Sequence, residues 1–310
     1  MTTIFVTGAT GVLGRGTVER LLARGHDVRA LARNAERASV VSAMGAEPVV
    51  ADIYDLDTMT KAISGSDSLL HLATRIPPLT KARKASAWIE NTKLRALGTK
   101  VLVDAARAVG VTRFIAESIT FIYRDGGSEW LDESSPIDAG VALQSVVTLE
   151  EEVARFASSG GVGVSLRFGS FYGAEARGTD EFLKNAARHV APAIGSPDGY
   201  ISSIETGDAA DAVVASLGAP TGVYNVVDNE PLTRREYVDA FERAFGFRGL
   251  RFIPPTIVKL AAGAPARTVM RSQRVSNAAF RDVTGWAPAI PSAVDGWAAV
   301  AAERKESSNV

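Results

Sequence analysis

The chain has 310 residues, 46% apolar and 22% charged, enough for one large domain or a domain with a dependent lobe. Its 34 Lys and Arg against 35 Asp and Glu argue against a nucleic-acid partner, which needs a basic face. No cysteine is present, which removes disulfides, thiol nucleophiles and thiolate metal sites, and the scattered His26, His71 and His189 do not make an imidazole-rich metal centre.

The opening MTTIFVTGAT has no basic stretch leading into an apolar core, and no apolar run approaches the roughly 20 residues of a membrane span. The expectation is a cytoplasmic protein with no membrane partner. A first strand is predicted over 3–8, followed by a helix over 12–24 that turns Leu13, Val18, Leu21 and Leu22 inward and stops at Gly25. Further strands are predicted over 27–33, 47–52, 68–74, 113–119 and 163–169, several of them continuous apolar runs suited to burial on both faces. Helical patterns separate them at 55–64, around 90–109, and at 142–156, where Leu149, Val153 and Phe156 share a face. Strict alternation implies right-handed crossovers, hence an α/β fold with a Rossmann-type doubly wound parallel sheet.

Beyond 170 the rhythm loosens. A strand is predicted over 222–228 and a helix over 232–246, begun by Thr233. The expected organisation is a dinucleotide-binding core over 1–170, to which 205–230 returns. A smaller C-terminal substrate-binding lobe takes 171–204 and 231–305, and the ERKESSNV end, with 306–310 as its last part, is a frayed tail.

The sharpest motif is VTGATGVLG, with Gly8, Gly11 and Gly14 spaced G-x-x-G-x-x-G between an apolar strand and an amphipathic helix. The first glycine permits a tight turn, the second a close approach of backbone to pyrophosphate, and the third close helix–strand packing. Thr10, Val12 and Leu13 complete the cradle, with helix amides facing the phosphates. The second strand ends in Arg33, followed by Asn34 and Arg37, where a site selective for NAD usually has a carboxylate. A guanidinium would pair with a 2′-phosphate, so NADP(H) is preferred over NAD(H); a solvated surface role for Arg33 is the alternative. Asp52 suits the adenine edge and Ile53 its face, or Asp52 is a helix cap or turn residue.

In order along the chain, TGATGVLG, the Ala51–Asp52 pair, HLAT at 71–74, NTKLRALGTKVLVDAA, LRFGSFYG and GWAP resemble the extended short-chain dehydrogenase/reductase superfamily, in its NAD-dependent epimerase/dehydratase branch. The resemblance runs from residue 3 to about 300 and implies that Leu72, Ala73, Thr74 and Phe168 border the cofactor, with a possible homodimer through the helices near 90–109 and 141–158. It also implies a Tyr-x-x-x-Lys pair on one helix and a Ser or Thr at the end of the fifth strand. Lysine lowers the tyrosine pKa so that it can exchange a proton with a carbonyl or alcohol.

None of the six tyrosines is followed by lysine four residues on. The family positions fall on Ile119, Gln144 and Thr148, or on Leu143 and Val147 if the helix slides by one residue. Substitutes are Tyr123, or Ser118 and Thr120, which could orient an oxygen; Glu117 could act as an acid with a raised pKa. Tyr172 and Arg167 flank the expected nicotinamide end, where Arg167 more often makes a structural ion pair beneath it. Arg271 and Arg274 could grip an anionic substrate, and Trp130 could close over it, or these are surface and packing residues. The favoured function is an NADP(H)-dependent oxidoreductase on a small carbonyl, alcohol or sugar-like substrate with a non-standard donor. The alternatives are a non-redox isomerase or cyclase using the dinucleotide as scaffold, and a non-catalytic NADP(H) sensor.

Overall fold

The computed structural model describes residues 2–78, 81, 84–254, 256 and 267–308. In chain order the core begins β1 (Thr3–Thr7), α1 (Val12–Ala23), β2 (Asp27–Ala32), α2 (Ala35–Ala43), β3 (Glu47–Val50), α3 (Leu56–Ile63) and β4 (Ser68–His71). A composite helix follows: α4 (Ile89–Lys93), a π-helical turn over Leu94–Gly98, and α5 (Thr99–Ala108). Then come β5 (Arg113–Ile119), β6 (Trp130–Leu131), α6 (Gln144–Ser158), β7 (Val162–Phe168) and β8 (Ser170–Tyr172). The remainder comprises α7 (Arg177–Ala186), β9 (Tyr200–Ile201), β10 (Ser203–Glu205), α8 (Thr206–Ala215), β11 (Gly222–Val226), β12 (Leu232–Thr233), α9 (Arg234–Phe245), β13 (Arg274–Val275) and two last helices, Ala278–Thr284 and Ala293–Ser308.

Seven strands form one sheet in the order β11-β7-β5-β4-β1-β2-β3, every pair parallel. Alternation within each strand supplies two cores, because successive side chains point to opposite faces. Ile4, Val6, Leu70 and Ile115 join Leu13, Val18, Leu21 and Val213 on the α1/α8 face. Phe5, Leu69, Phe114 and Ala116 join Met59, Leu102, Leu149, Val153 and Phe156 on the other. A third core belongs to the smaller lobe, where Trp297 packs with Tyr172, Tyr237 and Phe241.

The predicted strands end one to three residues early, except 113–119, which matches β5 in full. The helix predicted over 142–156 is shifted, opening at Gln144 and running to Ser158. Thr233 caps α9 through a capping box with Glu236, and Gly246 ends that helix at φ 75°. The expected tail is a correction: the last helix continues to Ser308, carried by Trp297, Val300 and Ala301 packed into the lobe, so residues 306–308 are helical. Residues 309–310, and 255 and 257–266 of the lobe, lie outside those described.

Candidate active site

The carboxyl edge of the sheet gathers the sequence-predicted residues. Gly8 leaves β1 at φ 80°, and a Cβ there would sit 2.5 Å from the Leu72 carbonyl oxygen and 2.6 Å from the Ala73 nitrogen. The chain crossing from β1 into α1 therefore lies directly on the chain leaving β4, at Leu72 and Ala73. A Cβ on Gly14 would lie 2.7 Å from the Ala9 Cα and overlap the Gly8 carbonyl oxygen, so this glycine is required by packing. A Cβ on Gly11 meets only the Gly8 oxygen, at 3.1 Å, and Gly11 is exposed. Its other side is open.

Three other helices of the core have side-chain caps: Asn34 on α2, Asp55 on α3 and Glu205 on α8. Gly11 gives α1 no side-chain cap, and no acidic residue stands in its first turn. Unsatisfied amides at the positive end of a helix, behind a glycine that leaves room, suit a diphosphate. Val12 is 39% exposed at that end, while the Leu13 side chain is buried, so Leu13 would serve through its amide.

Arg33 ends β2 exposed, with no side-chain partner among the described residues; Asn34 spends its side chain on the Arg37 amide. Asp52 is exposed and turns back to the Tyr54 amide at 3.0 Å, while Asp55, not Asp52, caps the next helix. Ile53 packs beside the second core. Thr74 is half-buried, and the neighbouring Arg75 amide donates to Asn91 Oδ1 at 2.8 Å, tying the exit of β4 to α4. Phe168 is a correction: its ring is fully buried against Phe171 in the first core and serves packing, not a ligand.

The suggested proton donors are engaged elsewhere. Tyr123 is fully buried; its hydroxyl donates to Asn225 Oδ1 at 2.8 Å and accepts from Arg167 Nη1 at 2.8 Å. Burial pushes its pKa up to about 12 against the pull of Arg167, the wrong direction for an acid working near neutrality. Ser118 is buried and donates to Glu150 Oε1 at 2.6 Å; Thr120 is buried in the turn that follows β5. Arg167 forms a bidentate pair with Glu150, at 2.8 and 2.7 Å, so it is a structural ion pair and not a wall of the nicotinamide pocket. Tyr172 is likewise buried, 3.5 Å from an Asp228 oxygen. Glu117 lies 3.6 Å from Arg95, both buried, and desolvation raises its carboxyl to about 7.

At the positions that the resemblance implies for the triad, the structure places partly buried or exposed side chains without a charge. Ile119 packs with Leu143 and Val147 around Ile122 and Val146. Gln144 is exposed, and Thr148 donates to the Gln144 carbonyl at 3.2 Å. Both helix registers considered from sequence therefore lead to a surface without an ionisable hydroxyl.

Sequence reasoning missed the partners in this network. Glu150, Asn225 and Arg95 come from a helix, an edge strand and a π-helical turn, far apart in the chain. Arg271 is a clamp rather than a free cation: it donates to the carbonyls of Phe121, Tyr123 and Asp138 and pairs with the Asp138 carboxylate.

Fold, glycine cradle and uncapped helix define a dinucleotide-binding protein. A family model described as NAD(P)H-binding matches residues 8–146. The chain is 33% identical over 307 residues to the 3-diazoavenalumate denitrifying reductase of a Streptomyces species, covering 94% of this chain and 98% of that one. It is 37% identical over 134 residues to a Stigmatella aurantiaca ketoreductase acting on a farnesylated dihydroquinoline oxide, 43% of this chain and 38% of that one. A human epimerase family protein solved with NADPH superposes with a TM-score of 0.83 at 21% identity, covering 97% of this chain and 99% of that one. The chain belongs with the reductases of the extended short-chain dehydrogenase/reductase superfamily.

Proposed function

We propose that the protein is an NADP(H)-dependent reductase whose acceptor takes up hydride without a proton from a protein-borne acid, and that this acceptor is an aryldiazonium group. The observation that supports the reading is that the positions the resemblance gives the family's proton relay are Ile119, Gln144 and Thr148, or Leu143 and Val147 one residue along, none of which offers an acid. When bound, the dinucleotide supplies hydride, and the cradle of Gly8, Gly11 and Gly14 with the first amides of α1 would hold its diphosphate. The unpartnered Arg33 supports the phosphorylated form of the cofactor.

A carbonyl must gain a proton as it becomes an alcohol, and losing the general acid typically costs about 10²- to 10⁴-fold. Reduction of an aryldiazonium to the arene has a different balance. One hydride enters, one dinitrogen leaves, and the hydride's electron pair ends in the new C–H bond, with no net proton consumed. The similarity to a denitrifying reductase named for a diazo compound supports the same choice. Ile76, Trp130, Ile137 and Val141, in segments that follow β4 and β5, are exposed apolar side chains that suit an aromatic acceptor.

The test mixes the protein and NADPH with diazotised aminobenzoates and, in parallel, with aromatic ketones and aldehydes. Loss of nicotinamide absorbance coupled to stoichiometric dinitrogen release from the diazo compounds is expected, with NADPH preferred over NADH. Turnover of the carbonyl compounds alone would contradict the reading, and tight NADPH binding with no turnover of either would favour a sensor.

A further inference from the structure

Three arginines on and beside the wall built from the 121–131 loop and residues 267–276 find protein acceptors. Arg271 clamps the carbonyls of Phe121, Tyr123 and Asp138. Arg124 pairs with Glu129 at 3.1 Å, and Arg234, reaching this wall from α9, donates to the carbonyls of Val269 and Arg271. Arg274 is different. Its guanidinium carbon lies 4.3 Å from the centre of the Trp130 ring and 5.0 Å from that of Tyr200. Among the described residues it has no hydrogen-bond or ion-pair partner, and its Nε is buried without one.

The arrangement is built by backbone. Arg274 and Trp130 are direct partners in the β13–β6 ladder, and the Gln273 amide donates to the Tyr200 carbonyl at 3.1 Å. Gln273 Nε2 also donates to the Tyr123 carbonyl, and Gly126 to that of Ser272, so the segment is fastened to the chain leaving β5 at the carboxyl edge of the sheet. Rings set over a guanidinium restrict its rotamers and favour its charge, while its N–H donors lie in the plane and stay free. A held guanidinium with unused donors is a receptor for a planar, forked acceptor.

We infer that Arg274, held by Trp130 and Tyr200, binds a carboxylate carried by an aromatic substrate. This deepens the reductase reading and rests on it for the reducible group, not for the anion. Arg271 and Arg124 on the same wall are already paired, with Asp138 and Glu129, which leaves the Arg274 guanidinium to a singly charged acceptor. Trp130, 51% exposed beside Arg274, offers a ring surface for the aromatic body.

The test is calorimetric binding of cinnamate, methyl cinnamate and phenyl phosphate to the full chain saturated with NADP⁺. Cinnamate is expected to bind at least tenfold more tightly than its ester or phenyl phosphate. Arg274→Gln should lose that margin for cinnamate alone, with NADP⁺ affinity unchanged, and Arg274→Lys should recover only part of it, because an ammonium lacks the fork. Equal affinity for acid and ester in the unsubstituted protein overturns the inference whether or not the variants fold, as does preference for phenyl phosphate or full cinnamate affinity in Arg274→Gln. Arg274-dependent cinnamate binding without turnover of any diazo compound would sink the reductase reading and leave the carboxylate site standing.

Discussion

Each glycine of the cradle answers to a different constraint, and substitution separates them. A methyl group on Gly14 meets the Gly8 carbonyl and the Ala9 backbone, neither of which can yield cheaply. Gly14→Ala is expected to lower stability by about 2 kcal/mol or more, read from urea midpoints, because overpacking forces backbone shifts. Gly11→Ala meets one oxygen at 3.1 Å and otherwise occupies open space. It should unfold within about 1 kcal/mol of the parent yet bind NADPH at least tenfold more weakly by calorimetry, the added methyl standing where a diphosphate approaches. Tyr123 gives the complementary test. Its hydroxyl bridges Arg167 and Asn225 in the interior, so Tyr123→Phe is expected to cost about 1–2 kcal/mol of stability and to leave single-turnover NADPH oxidation within about twofold. A proton donor removed from the same position would slow that step by about 10²-fold or more.

At the scale of elements, the glycine motif, all seven strands of the main sheet and most of its helices were legible in the sequence, for a local reason. Apolar runs such as Ile4–Val6 are buried on both faces and announce themselves by continuous hydrophobicity. The capping box at Thr233 is written within four residues. What was not legible is assembled across elements. Glu150 of α6 joins Ser118 of β5, Arg167 of β7 and, through Tyr123, Asn225 of β11, with partners up to 102 residues apart. The π-helical turn at Leu94–Gly98 has the same residue pattern as the helix around it, and it buries Arg95 against Glu117. Arg167 and Glu150 have only 4% and 10% of their side-chain surfaces exposed. Arg167→Met should therefore destabilise by about 3–5 kcal/mol by stranding Glu150, and the double change with Glu150→Leu should cost less than the sum of the two single changes in a double-mutant cycle.

For the whole molecule, the polar interior sets how stability varies with pH. His71 is buried in β4 with Nδ1 2.8 Å from Thr7 Oγ1 and Nε2 without a partner. Desolvation, with Arg95 nearby, pushes its pKa down to about 3 from 6.5. A histidine whose folded pKa is depressed contributes stability that is whole above its unfolded value and lost as pH falls from about 6.5 toward 3. His71→Gln should flatten that limb by a few kcal/mol, roughly, in urea midpoints taken from pH 8 to pH 4; parallel curves would show that His71 charges freely in the folded state. Under the proposed function, hydride transfer takes place where Ile119, Gln144 and Thr148 stand at the positions that the resemblance gives the family's triad. The most direct measurement is single-turnover oxidation of NADPH deuterated at nicotinamide C4, with a diazotised aminobenzoate, in light and heavy water across neutral pH. The account predicts a primary isotope effect from C4, no solvent isotope effect, and a rate flat with pH. A solvent isotope effect accompanied by an acidic or basic limb in the rate would contradict it, because a titrating protein group would then be moving a proton in the same step.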